Sequence, residues 1–232
     1  MFFGYGYYMD SGIILVLIAG ILSVIASFKV NSTFKKYSNL HTGRNITGEQ
    51  AARSILDANG LYHVKVERVA GNLTDHYDPK ANVIRLSDSV HSSTSVAAVG
   101  VAAHEAGHAV QHATNYKPIQ VRNSIVPVAN IGSMAGPYLV ILGLLMSSGP
   151  LAYAGIIFFS LAVIFQLVTL PVEFNASSRA IATLENDGYL ESVEVPAVKK
   201  VLGAAAMTYV AAAAVSIAQL LRLVMLVGRR DD

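Results

Sequence analysis

Four long apolar stretches set the frame into which everything else in this chain must fit. They run from about Gly12 to Phe28, Ser124 to Ser147, Leu151 to Leu170 and Gly203 to Val227, to be judged against the roughly 20 apolar residues a helix needs to cross a bilayer. A segment crossing lipid must satisfy its backbone N–H and C=O groups within itself, so helices are the form these stretches should take. With 53% of the 232 residues hydrophobic and 14% charged, too little charge remains to cover a soluble globule. The expectation is a mainly α membrane protein with about four transmembrane helices.

The stretches differ in character. Tyr5, Tyr7 and Tyr8 precede the first as an interfacial aromatic belt. No positive residue stands before it, and Lys29, Lys35 and Lys36 follow it, which marks an anchor rather than a cleaved signal peptide. In the second, Gly132 and Gly136 have the spacing of a small-residue packing face, and Pro137 is expected to kink the helix. The fourth begins with alanines and holds Arg222 near its end, so alanine-rich packing in a soluble region is its alternative. With four spans, residues 29–123 and 171–202 share one side and hold 14 of the 17 Lys and Arg residues. By the positive-inside rule that side is cytoplasmic, and Lys29, Lys35, Lys36, Lys117, Arg122, Lys199 and Lys200 beside the spans carry the argument.

The resulting organisation is an anchor span (1–28), a cytoplasmic lobe (29–123), a transmembrane hairpin (124–170), a helix and loop (171–202) and a C-terminal span with its tail (203–232). In the lobe, Thr47 and Gln50 form a capping box that opens a helix through Asp57, closed by Gly60. Tyr62 to Val69 alternates as a strand with Val64, Val66 and Tyr62 on one face, and Asn82 to Leu86 forms a second strand after the turn-prone DHYDPK. Ser92, Ser93, Thr94 and Ser95 offer N-caps for the next helix. The lobe is expected to be α+β, in the order helix, strand, strand, helix, at the membrane face.

That last helix carries VAAHEAGHAVQHA, residues 101–113. His104, Glu105 and His108 spell H-E-x-x-H: residues four apart lie on one helix face, so both imidazoles can reach one metal ion, and Glu105 can address a water bound to it. The chain has no cysteine, so a metal must be held by His, Asp or Glu. Zinc is the expected cofactor. His112 continues the spacing but lies about 12 Å along the axis from His104, too far to share one tetrahedral site. The elongated motif with a third histidine is absent, because position 111 is Gln and position 114 is Thr.

The third ligand must therefore come from elsewhere. Glu173, Glu185, Asp187, Glu191 and Glu194 lie downstream on the same side. Glu173 stands out because the second and third spans form a hairpin that returns the chain to the side it left, and Glu173 follows almost at once. Pro171 or Val172 is expected to start its helix. The alternative for Glu173 is an ordinary acid at a helix start.

HEAGHAVQ, DHYDP followed by IRLS, PVEFNAS with SRA, and TYVAAA together resemble the YugP-like neutral zinc metallopeptidases of bacterial membranes, over nearly the whole chain. The order of elements is similar to that of the HtpX-like, gluzincin-type proteases. The resemblance implies that residues 29–123 are a zincin-like catalytic lobe and 171–202 the third-ligand helix and loop, with His104, His108 and Glu173 as zinc ligands and Glu105 as catalytic base. Two positions depart from it: Asn175 stands where the family usually has Asp, and Ser177 where HtpX-like enzymes have Asp, so the groups supporting a zinc-bound histidine are expected to differ.

The function these readings predict is a membrane-embedded zinc metalloendopeptidase acting on membrane-associated or misfolded polypeptides. Its partners are a polypeptide substrate and the lipid bilayer. A net charge of +2 is too small to imply nucleic acid as a partner and no phosphate-binding motif appears, so no nucleic-acid partner is expected. His76, Tyr77, Arg179 and Tyr189 are candidates for the oxyanion donor or substrate contacts, and the strand at 82–86 could pair with an extended peptide from a sheet edge. The alternatives are an intramembrane site-2-type protease, with residues 94–113 inside a span, and a non-catalytic zinc-binding scaffold.

Overall fold

The computed structural model describes residues 11–228; Tyr5, Tyr7 and Tyr8 lie outside the described residues. The protein is mostly helical. The order is α1 (Ser11–Tyr37), α2 (Gly48–Ala58), β1 (Lys65–Val69), β2 (His76–Asp78), β3 (Val83–Ser87), α3 (Val96–Ala113), α4 (Lys117–Leu145), α5 (Gly149–Asn186) and α6 (Val195–Gly228). Among the described residues α1, α4, α5 and α6 are long and apolar enough to cross a membrane. The chain divides into two units: Met1–Ile25 with Ser124–Leu167 and Val210–Asp232, and Ala26–Asn123 with Val168–Tyr209.

In the first unit α1 shows its solvent. Leu17, Ile18 and Ile21 are each more than half exposed, an arrangement that water penalises and hydrocarbon does not. The α4–α5 hairpin turns through residues 146–148 and is built on small residues. A Cβ added at Gly136 would lie 2.8 Å from the Phe159 Cβ, and one at Gly155 would lie 2.6 Å from the Gly136 carbonyl oxygen. Gly132 likewise faces the Phe158 backbone, so the expected packing face is present. Around it Val140, Ala152, Phe159 and Val163 are buried together with Leu223 and Val227 of α6. Both Pro127 and Pro137 lie inside the continuous α4.

The second unit holds the sheet and α3. Thr47 caps α2 with the reciprocal Gln50 contact, and Gly60 follows at φ 71°. The sheet has three strands, not two, in the order β1-β3-β2. β1 and β3 are parallel with Lys65 opposite Val83, while β2 and β3 are antiparallel with Tyr77 opposite Ile84. DHYDPK is therefore half strand and half turn: His76–Asp78 pair, and the Asp78 carboxylate accepts from the Lys80 and Ala81 amides to close the hairpin. The strand at 82–86 is the centre of the sheet, so its edges are occupied and the free edges belong to β1 and β2. β1 starts only at Lys65. Tyr62 precedes it and is 74% exposed, away from the face where Val64 is buried.

α3 is the axis of this unit. Ser95 is its N-cap, its hydroxyl accepting from the Ala98 amide. Val96, Ala97, Ala98, Val99, Ala102, Ala103 and Ala106 have no exposed surface. They pack with Ile55 and Leu56 of α2, Ile84 and Leu86 of β3, Ala180 and Leu184 of α5, and Val198 and Leu202 of α6. Two helix starts differ from expectation. α5 is one helix from Gly149 to Asn186, with Pro171 inside it, because a long apolar helix tolerates a proline when its neighbours satisfy the freed backbone groups. α6 starts at Val195 rather than near Gly203, with Pro196 in its first turn, where the missing N–H has no helical partner to lose.

Candidate active site

The site is assembled where α3 lies against α5. Gly107 sits between the two motif histidines, and a Cβ there would come within 2.6 Å of the Ala176 carbonyl oxygen. Only glycine permits this approach. Ala176 and Ala180 on α5 are fully buried against it. The close crossing brings Glu173, 2% exposed, onto the imidazoles: its Oε2 is 3.2 Å from His104 Nε2 and 3.5 Å from His108 Nε2. The other carboxylate oxygen, Oε1, stands 3.7 Å from Arg122 Nη1. Arg122 Nε is buried without a hydrogen-bond partner. His104, His108 and Glu173 form a group whose ligand atoms all lie within 4.8 Å of one another.

A chain of hydrogen bonds sets how His108 presents itself. The guanidinium of Arg179 can only donate, and its Nε donates to Asn175 Oδ1 at 2.8 Å. That oxygen also accepts from Gln111 Nε2 at 3.0 Å, and Gln111 Nε2 donates to the Val172 carbonyl at 2.8 Å. Gln111 Oε1 is left to accept, and it lies 3.0 Å from His108 Nδ1. The proton of His108 therefore sits on Nδ1, and Nε2 is the atom turned toward Glu173. His104 is held by Ser177, whose Oγ is 3.1 Å from Nδ1.

The donor set fits a divalent metal. Two ligands of a tetrahedral zinc, each about 2.0–2.1 Å from it, stand about 3.3–3.4 Å apart. The Nε2-to-Oε2 separations of 3.2 and 3.5 Å bracket that spacing. Three electron-pair donors converging on one point need positive charge there, which a metal cation supplies.

A cavity of about 290 Å³ opens beside the group. Its walls are mostly apolar, with Val30 and Phe34 of α1, Val101 of α3 and Leu202 of α6. Its polar atoms come from His104, Glu105, Asp75, Thr208 and Tyr209. Burial pushes the Asp75 carboxyl above the usual carboxylate range, hydrogen bonds from Ser87 oppose that shift, and the charge of Glu105 adds to it.

The sequence-derived contact residues are dispersed. His76 is exposed on β2, against the Thr74 carbonyl and Arg85. Tyr77 packs its ring edge-on against His112 at 5.5 Å. Arg179 is engaged with Asn175 and lies over the Tyr116 ring, and Tyr189 packs against the hydrophobic core. None of these four lines the cavity. Asn175 and Ser177 do stand beside the histidines, Ser177 directly and Asn175 through Gln111. Sequence reasoning missed Gln111 and Tyr209. Gln111 carried a signal, an amide in an otherwise apolar stretch three residues after His108 and so on the same helix face. Tyr209 carried another: in TYVAAA it is a lone phenol in an alanine-rich span, and its hydroxyl reaches Glu173.

The family model described as "Putative neutral zinc metallopeptidase" matches residues 12–228. The chain is also 51% identical over 221 residues, 95% of its own length and 98% of the relative's, to the "Putative membrane protease YugP" of Bacillus subtilis (strain 168). No solved structure matches it.

Proposed function

The chain belongs to the neutral zinc metallopeptidase family and is an integral membrane protein, and from that premise we propose that it is a zinc endopeptidase cleaving membrane-associated or misfolded polypeptides at the cytoplasmic face. The observation that carries this reading is the meeting of His104 Nε2, His108 Nε2 and Glu173 Oε2 at the spacing of zinc ligands, beside a cavity that Glu105 also lines. These three atoms would hold the metal. When bound, zinc polarises the scissile carbonyl and makes water a stronger nucleophile.

The remaining steps fall to the chain itself. Glu105 has no hydrogen bond or ion pair among the described residues and faces the cavity. Its carboxylate takes a proton from the attacking water and returns it to the leaving amide nitrogen as the C–N bond breaks. Tyr209 lines the cavity, and its hydroxyl can donate to the carbonyl oxygen as charge builds on it. Val30, Phe34, Val101 and Leu202 exclude water and suit an apolar side chain. An extended substrate would use the edge of β2, the strand that packs on α3.

The alternatives fare less well. α3 is not among the helices of membrane-spanning length and apolarity, and its apolar face is covered by α2, the sheet and the ends of α5 and α6, which disfavours the site-2-type reading. A scaffold would have no use for the unengaged Glu105.

Zinc analysis and casein cleavage by the intact protein and Glu105→Gln test the mechanism. Both should carry zinc, and the variant should be slower by about 10²- to 10⁴-fold. Equal cleavage by the two would remove Glu105 as the base. A reporter fused in the turn at residues 146–148 should read as external, and a cytoplasmic signal there would reverse the orientation.

A further inference from the structure

Outside the active site, α1 and α6 enclose a second concavity. It is a groove of about 470 Å³ lined by Lys29, Thr33 and Lys36 of α1 and by Lys200, Gly203 and Met207 of α6, among others. Among the described residues none of the three lysines has an acidic partner within ion-pair distance. Ammonium groups gathered on one concave surface without counter-charge repel one another and favour an anion between them. The groove has room for one: a Cβ at Gly203 would meet nothing within 4 Å.

The position along the helices says which anion. Lys29 comes immediately after the apolar stretch of α1, and Lys200 immediately before that of α6. Each helix thus changes from apolar to charged at the groove, the level at which lipid phosphates lie. Met207, half exposed, adds an apolar contact that a free phosphate ion could not use and an acyl chain could. We propose that this groove binds the phosphate of an anionic phospholipid headgroup, with its acyl chain along the Gly203–Met207 face of α6.

Such a lipid would have a structural consequence. Val30 and Phe34 of α1, and Leu202, Ala205 and Tyr209 of α6, line the active cavity on adjoining faces of the same two helices. A headgroup held by Lys29 and Lys36 on one side and Lys200 on the other ties together two walls of that cavity.

The test is native mass spectrometry of the full chain in a neutral detergent, titrated separately with phosphatidylglycerol, phosphatidylcholine and inorganic phosphate. One phosphatidylglycerol should be retained in preference to phosphatidylcholine. The variant Lys29→Gln, Lys36→Gln, Lys200→Gln should bind it on the order of 100-fold more weakly, from roughly fivefold per lysine at a membrane surface. The control Arg44→Gln, Lys65→Gln, Lys80→Gln should bind it as the intact protein does, with helical content and zinc content checked for both variants. Equal retention of the two lipids, or undiminished binding by the groove variant, would overturn the proposal. Displacement of the lipid by millimolar inorganic phosphate would also overturn it and assign the groove to a free ion. Because the readout is lipid binding rather than cleavage, failure here leaves the peptidase reading standing, and failure of that reading leaves this one.

Discussion

Two of the close helix crossings that glycine makes among the described residues serve different ends. At Gly136 and Gly155 the backbones of α4 and α5 approach among Val, Ala and Phe side chains, and nothing polar is gained. At Gly107 the backbone of α3 approaches Ala176 of α5, and the same economy of volume delivers Glu173 and Ser177 to a pair of histidines and Asn175 to the Gln111 amide beside them. The first crossing is packing alone; the second is packing that positions donor atoms to within a few tenths of an ångström. The lesson is that a small-residue contact cannot be read as structural or functional from its own geometry. What decides is whether polar side chains flank it.

Adding one methyl group at each crossing separates the two roles most sharply. Gly107→Ala should push α5 away from α3 and lower zinc affinity by about 100-fold or more, since losing only a supporting partner of a ligand costs roughly 10- to 100-fold. Gly136→Ala should leave zinc affinity unchanged while destabilising the hairpin by about 1–3 kcal/mol, the usual result of overpacking. Chelator competition and thermal unfolding measure the two quantities. Equal loss of zinc by both variants would mean that the two crossings do not differ in role.

A smaller effect probes the polar network without touching the crossing. Gln111→Leu keeps volume near the amide but removes the acceptor for His108 Nδ1, and zinc affinity should fall by about 10- to 100-fold with little change in unfolding temperature. Smallest of all should be Arg179→Gln, three hydrogen bonds from the metal site, with a loss below about 10-fold. Its signature is spectroscopic: nitrogen resonances of His108 should report a mixture of tautomers where the intact protein shows one. A single unchanged tautomer would mean that Gln111 orients without help from Arg179.

Much of this was legible in the sequence, for reasons particular to each element. Apolar length announced the four long helices, and the capping box of Thr47 and Gln50 announced α2, because both signals are local. The proximity of Glu173 to the histidines could be read from chain accounting, since a hairpin returns the chain to its starting side. What escaped depended on tertiary context. β2 has only three residues, too few for an alternation to show, and it exists because β3 offers an edge. The continuity of α5 through Pro171 was hidden because proline normally marks a boundary, and only the surrounding helices make it tolerable. Tyr209 stands more than 100 residues from His104, and nothing local links it to a cavity between α1, α3 and α6.

The continuity of α5 also bears on how the protein is made. His104 and His108 leave the ribosome before Glu173, with 64 residues in between, most of them belonging to the α4–α5 hairpin. A nascent or truncated chain that has not yet threaded that hairpin into lipid has two-thirds of its donor set and no third. A metal site that needs Glu173 is therefore complete only once the hairpin has been threaded and α5 has returned to α3, so insertion of the α4–α5 pair and completion of the donor set are one event.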